Sequence, residues 1–87
     1  ILDNNGTHPN RGAVEILQAY GFVTVGCDGH NHDALTQCLE YRSGPLAVIA
    51  DTIKGNGIAR MVADPAAWHS RAPTAPEAAE MLLELTP

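Results

Sequence analysis

His69 stands beside Trp68 in a stretch, residues 54–73, that has no regular apolar period. An imidazole next to an indole on an ordered loop suits positioning against a ligand, where it can donate a hydrogen bond or pass a proton near neutral pH. Taken alone, Trp68 reads as a packing anchor for that loop. Three polar, glycine-containing turns add further groups. They are Asp3-Asn4-Asn5-Gly6, Asp28-Gly29-His30-Asn31, and residues 51–57, which include Lys54. Together they offer carboxylates, amides and one ammonium, a mixture that suits a hydrated hard cation or a phosphate group. Taken singly, each turn reads as structural, because Asn-Gly and Asp-Gly tolerate positive φ. His30 and His32 form an H-x-H that reads as the start of a helix rather than as a pair of metal ligands. Gly55-Asn56-Gly57 is too short for a dinucleotide fingerprint. Cys27 and Cys38 lack metal-motif spacing, and Cys38 falls on an apolar helix stripe, so both are expected to be reduced thiols.

The elements that must carry these groups follow from the apolar pattern. Ile1-Leu2 reads as the end of a strand. Val14, Leu17 and Tyr20 share one stripe, with Ile16 beside it, and Gly21 follows as a C-terminal stop, which predicts a short helix over 13–20. FVTVGC is β-branched and aromatic, as a strand requires. Asn31 or Asp33 caps a second helix with the stripe Leu35, Cys38 and Leu39, and Ser43-Gly44-Pro45 ends it. LAVIA is a continuous apolar run, expected of a strand covered on both faces and wanting a neighbour on each side. TAPE reads as a capping box of Thr74 and Glu77, followed by Ala78, Met81, Leu82 and Leu85 at helical spacing. The order is β-α-β-α-β-long loop-α. This is an α/β chain with a parallel sheet and flanking helices. In such a sheet the three polar turns lie along one edge, at the carboxyl ends of the strands, where ligands of open α/β sheets bind.

Size and charge bound the rest. At 87 residues and a net charge of −5, the chain is one small domain or part of one. A chain of this length buries only about 60–65 % of its unfolded surface. The acidic balance argues against a nucleic-acid or anionic-membrane surface, and Arg11, Arg42, Lys54, Arg60 and Arg71 are scattered along the sequence and form no patch. No run of about 18 apolar residues is present, so no membrane span is expected. The cysteine usage points to the cytoplasm.

Three segments, in order, resemble the diphosphate-binding domain of transketolases, above all the split N-terminal-subunit type. TIKGNG…DPAAWHSRAP resembles T-x-K-G-x-G…W-H-G-x-x-P. GFVTVGCDGHNHDAL resembles the family's strand, D-G-H turn and helix start. LDNNG resembles the end of the thiamine diphosphate motif, which opens with G-D-G. The resemblance implies a partial thiamine diphosphate-binding (PP-type) domain, with residues 1–87 as its C-terminal part. It implies thiamine diphosphate and Mg²⁺ as cofactors, with the Asn5 side-chain oxygen and the Thr7 main-chain carbonyl as metal ligands. It implies that His69 lies near the diphosphate and the sugar, donating hydrogen bonds and assisting proton transfer. Lys54 is expected to approach the cofactor, and Gly55 to let the backbone come close to it.

The implied reaction is a transferase step, moving a two-carbon ketol unit between sugar phosphates. Carbon–carbon chemistry belongs to the cofactor, while the protein binds, orients and desolvates. The G-D-G segment and the pyrimidine-binding domain are absent from these residues, and Ser70 stands where the family pattern has glycine. The expected partner is therefore the remaining part of the enzyme, in a homo- or hetero-oligomer, and the chain alone is expected to be inactive. A deoxyxylulose-phosphate synthase-like fragment and a catalytically silent structural subunit of the same fold are the alternatives.

Overall fold

The central strand explains the sheet. LAVIA, whose alternate residues would face opposite sides, has both faces covered: Ala47, Val48 and Ala50 are all buried, Val48 at 1 % exposure. In the computed structural model, which describes residues 1–7, 10, 12–41 and 43–86, this run forms β3 (Leu46–Asp51). It lies between β1 (Leu2–Asn4) and β2 (Val23–Asp28), all parallel, in the order β1-β3-β2. The expected neighbour on each side is present. Arg11 and Arg42, two of the scattered basic residues, lie outside the described residues.

The register fixes what the carboxyl edge presents. Asn4 pairs with Asp51 on one side, and Asp28 pairs with Asp51 on the other. Three polar residues therefore stand in one row across the sheet. Each was read from the sequence as part of a turn. Each is the last residue of its strand, because the parallel ladder extends to the point where the polar side chains begin to bond one another.

Two helices accompany the sheet. The first, α1 (Ala13–Ala19), ends as the glycine predicts. Gly21 takes φ 85°, its N–H donates to the Gln18 carbonyl at 2.9 Å, and the Phe22 N–H donates to the Leu17 carbonyl at 3.0 Å. This pair of bonds is the Schellman arrangement, which needs a left-handed residue after the cap. The second, α2 (His32–Leu39), is capped by Asn31, whose Oδ1 accepts from the Ala34 N–H at 3.1 Å. Asp33 lies inside the first turn, where its charge favours the positive end of the helix dipole. Leu35 and Cys38 are half-buried, whereas Leu39 is exposed.

The chain divides into two units, Ile1–Thr52, which holds the sheet, and Ile53–Pro87. The second unit contains an element that the sequence pattern did not predict, α3 (Ala59–Ala63). Five residues are too few to display a helical period. The α3 N-terminus is capped from outside: the Ala59 N–H donates to Glu84 Oε2 at 2.7 Å. The last helix, α4 (Ala75–Leu85), carries the predicted capping box, with the Thr74 N–H donating to Glu77 Oε2 at 2.9 Å. Arg60 bridges α3 to α4, 3.6 Å from Glu77 and 3.4 Å from Glu80. Ile58 and Met81 are the buried apolar residues of this unit. The predicted stripe of α4 is only partly covered, since Leu82 and Leu85 are exposed. Helical spacing set the helix, but so short a unit has too little apolar surface to cover its whole face. Among the described residues no helix is long and apolar enough to cross a membrane.

The cap of α4 makes the acid stability of this unit predictable. The Thr74 backbone N–H, and then the Arg71 guanidinium, hold the Glu77 carboxyl at about 2, below its ordinary value of 4.5. A depressed carboxylate stabilises the fold in full above its unfolded value and loses that contribution as pH falls toward the folded one. The helical signal of α4 should therefore fall between about pH 5 and pH 2 in the native chain. In Glu77→Gln it should start lower and titrate less steeply over the same range, as read by circular dichroism.

Candidate functional site

The sheet edge is a continuous polar network within the first unit. Asn4 Nδ2 donates to Asp51 Oδ1 at 2.6 Å, while Asn4 Oδ1 accepts from Asn10 Nδ2 at 3.1 Å. The Thr52 N–H donates to the Asn4 carbonyl at 3.2 Å, continuing the ladder by one residue, and its hydroxyl donates to Asp3 Oδ1. The other oxygen of Asp3 accepts from Asn5 Nδ2 at 3.0 Å. These bonds fix the side-chain amide of Asn5. Its oxygen then faces forward along the chain and accepts from the Thr7 N–H at 3.1 Å and the Thr7 hydroxyl at 2.6 Å. Asn5 and Thr7, singled out as metal ligands, are thus brought together in one Asx-type turn.

The D-G-H turn closes the other side of this edge. The Gly29 N–H donates to the Asp51 carbonyl at 2.7 Å, and the His30 N–H donates to Asp28 Oδ1 at 2.9 Å. A side chain at Gly29 would lie 2.4 Å from Thr52 Cγ2 and 3.1 Å from the Asp51 carbonyl oxygen. Glycine is required there so that β2 can turn tightly over the end of β3. His32 opens α2, as the spacing predicts, and its carbonyl accepts from the Thr36 hydroxyl. Cys27 and Cys38 are free thiols. Burial, then the hydrogen bond to Cys38, then the carboxylates of Asp28 and Asp51, push the Cys27 thiol above its ordinary range. It is a poor nucleophile at neutral pH. Among the described residues no group of three or more His, Cys, Asp or Glu side chains is arranged to hold a metal ion.

In the second unit the two groups that the sequence left fifteen residues apart meet. Lys54 Nζ lies 2.9 Å from His69 Nδ1. An ammonium has hydrogens to give and no lone pair to offer. Nδ1 is therefore the acceptor, and the ring hydrogen is assigned to Nε2. Lys54 reaches this position from a tight turn: the Asn56 N–H donates to the Ile53 carbonyl and the Ile58 N–H to the Gly55 carbonyl, each at 3.0 Å. Gly55 takes φ 80°, and a Cβ there would lie 2.4 Å from Met61 Cβ and 2.9 Å from the Met61 carbonyl carbon. The Cβ-less face of Gly55 lies against the backbone of α3 at Met61. His69 is held by a second turn. Asp64 Oδ1 accepts from the Ala67 N–H at 3.1 Å, and the Ala66 carbonyl accepts from the His69 N–H at 3.2 Å.

Sequence reasoning passed over Arg71, counting it among scattered charges. Its guanidinium lies 3.8 Å from the centroid of the Trp68 ring and donates to Glu77 Oε1 at 2.6 Å. The signal was present in the spacing, since an arginine three residues after a tryptophan and six before the capping glutamate can reach both.

Over 92 aligned residues, 97 % of the chain, the sequence is 32 % identical to the human protein named transketolase-like protein 2. It is 33 % identical to the Bos taurus protein of that name and 32 % identical to Bos taurus transketolase-like protein 1, over the same share of the chain. The chain spans about 14 % of the length of the human and bovine proteins named transketolase-like protein 2. No protein-family model matches it, and no solved structure does.

Proposed function

We infer that this chain is a segment of a transketolase-family protein, and we propose that it supplies part of a thiamine diphosphate site for two-carbon ketol transfer between sugar phosphates. The carrying observation is the contact of Lys54 Nζ with His69 Nδ1 at 2.9 Å. Each belongs to one of the two blocks, TIKGNG and WHS, through which the sequence resembles transketolases. A cation against Nδ1 assigns the ring hydrogen to Nε2, a donor of the kind that phosphate and sugar oxygens accept from.

The donor set at the first polar turn bears on the metal. The Asn5 side-chain oxygen and the Thr7 main-chain carbonyl are hard, neutral oxygens of the kind Mg²⁺ takes. They are ordered within one turn, with Asn5 held by Asp3 and Thr7. They fit the ion in kind once the Thr7 hydroxyl gives up its bond to Asn5 Oδ1, and two donors would leave most of the shell to the diphosphate, to water and to residues outside this segment. When bound, thiamine diphosphate supplies the carbon–carbon bond chemistry. Asn5 and Thr7 then anchor the metal, Lys54 orients the imidazole, and His69 holds or moves a proton at Nε2.

Calorimetry tests this assignment. Thiamine diphosphate with Mg²⁺ should release no measurable binding heat with the 87-residue chain alone. It should give saturable binding once the complementary enzyme segments are joined to the chain. Micromolar binding to the chain alone would overturn the reading of a shared site. Absence of binding in the completed protein would overturn the cofactor itself.

A further inference from the structure

We propose that Arg71 is a positioning residue for His69: it ties the Trp68-His69 segment to the first turn of α4 and so sets which imidazole nitrogen carries the hydrogen. This deepens the reading of His69 as the working imidazole, on which it rests. The tie begins at a carboxylate held on both oxygens. Glu77 Oε2 accepts from the Thr74 N–H at 2.9 Å and from the Thr74 hydroxyl at 3.1 Å. Glu77 Oε1 accepts from Arg71 Nη2 at 2.6 Å. With the carboxylate held by the helix cap, Arg71 Nη2 has an acceptor at a set position, Oε1.

Arg71 Cζ then lies over the half-buried Trp68 ring, 3.8 Å from its centroid. This is within the range of cation–π attraction. Trp68 is covalently adjacent to His69, and residues 71–74 lie outside any helix or strand. The orientation of the imidazole is thus set from two directions: Lys54 meets its Nδ1, and the α4 cap, through Arg71 and Trp68, holds the backbone that carries it. A lysine at position 71 would keep the charge beside Glu77 and lose the planar guanidinium over the indole. That difference separates positioning from simple charge pairing.

The readout is the pair of ring-nitrogen shifts of His69 in the ¹⁵N-labelled full chain, at a pH where the ring is neutral. Native His69 should show one hydrogen-free and one hydrogen-bearing nitrogen, widely separated in a long-range ¹H–¹⁵N spectrum. Arg71→Ala and Arg71→Lys should each shrink that separation by about half or more, as the tautomers mix. The amide pattern of α4 should be retained in Arg71→Lys, which decides the matter if Arg71→Ala unfolds. Lys54→Met is the reference, since it removes the partner of Nδ1 directly. If Lys54→Met collapses the separation while Arg71→Lys and Arg71→Ala leave it unchanged, Arg71 does not position His69 and the proposal fails alone. If Lys54→Met also changes nothing, the Lys54–His69 pairing fails first, and with it the reading beneath.

Discussion

Replacing His69 by alanine should lower kcat/KM for ketol transfer in the complete enzyme by about 10²-fold, equivalent to about 2.7 kcal/mol of transition-state stabilisation. The figure rests on one positioned donor or proton carrier, whose contribution usually lies between about 10² and 10⁴. The lower end is taken because the cofactor supplies the bond chemistry and His69 adds one donor or proton carrier beside it. The exposure of His69 predicts that the variant keeps its fold, with a melting temperature within about 3 °C of the native one. Steady-state kinetics alongside thermal unfolding separate the two quantities. An unchanged kcat/KM would reassign His69 to holding its turn, where its N–H already bonds to the Ala66 carbonyl.

Gly55→Ala should cost about 2–5 kcal/mol of stability, from two additive sources. The residue has φ 80°, a conformation that costs an L side chain about 1–2 kcal/mol. The added carbon also meets Met61 Cβ at 2.4 Å and the Met61 carbonyl carbon at 2.9 Å. Backbone does not yield as a flexible side chain would, and overpacking of this sort costs about 1–3 kcal/mol more. Gly12→Ala isolates the first source: φ there is 77°, and nothing lies within 4 Å of the added carbon. Denaturant unfolding should therefore show Gly12→Ala losing about 1–2 kcal/mol, clearly less than Gly55→Ala. Equal losses would mean that α3 moves aside freely. The larger loss carries a functional consequence, because Lys54 precedes this glycine directly and reaches His69 from the same turn.

Short-range signals specified short-range structure. TAPE specified the start of α4, and Gly21 specified the end of α1, because a capping bond or a left-handed residue is a property of a few neighbouring positions. The apolar run LAVIA indicated a strand covered on both faces, and from that its central place in the sheet. What spacing could not carry was long-range. Nothing in the pattern says that Asn4 stands beside Asp51, or that Lys54 reaches across fifteen residues to His69. The likeness to transketolases singled out Lys54 and His69 without stating that they touch. Leu82 and Leu85 show the same limit from the apolar side. Their period is helical, yet both are exposed, because periodicity describes a face and not what covers it. For Arg71 the spacing to Trp68 and Glu77 made both contacts reachable, but nothing in it says that both are made.

The bond from the Ala59 N–H to Glu84 has a consequence for how the second unit comes apart. Five residues cannot repay the entropy of nucleating a helix by themselves, and the acceptor that relieves the first orphan donor of α3 sits on the last turn of α4. Melting α4 therefore strips α3 of its cap, and the two helices open together as one cooperative foldon rather than fraying one by one.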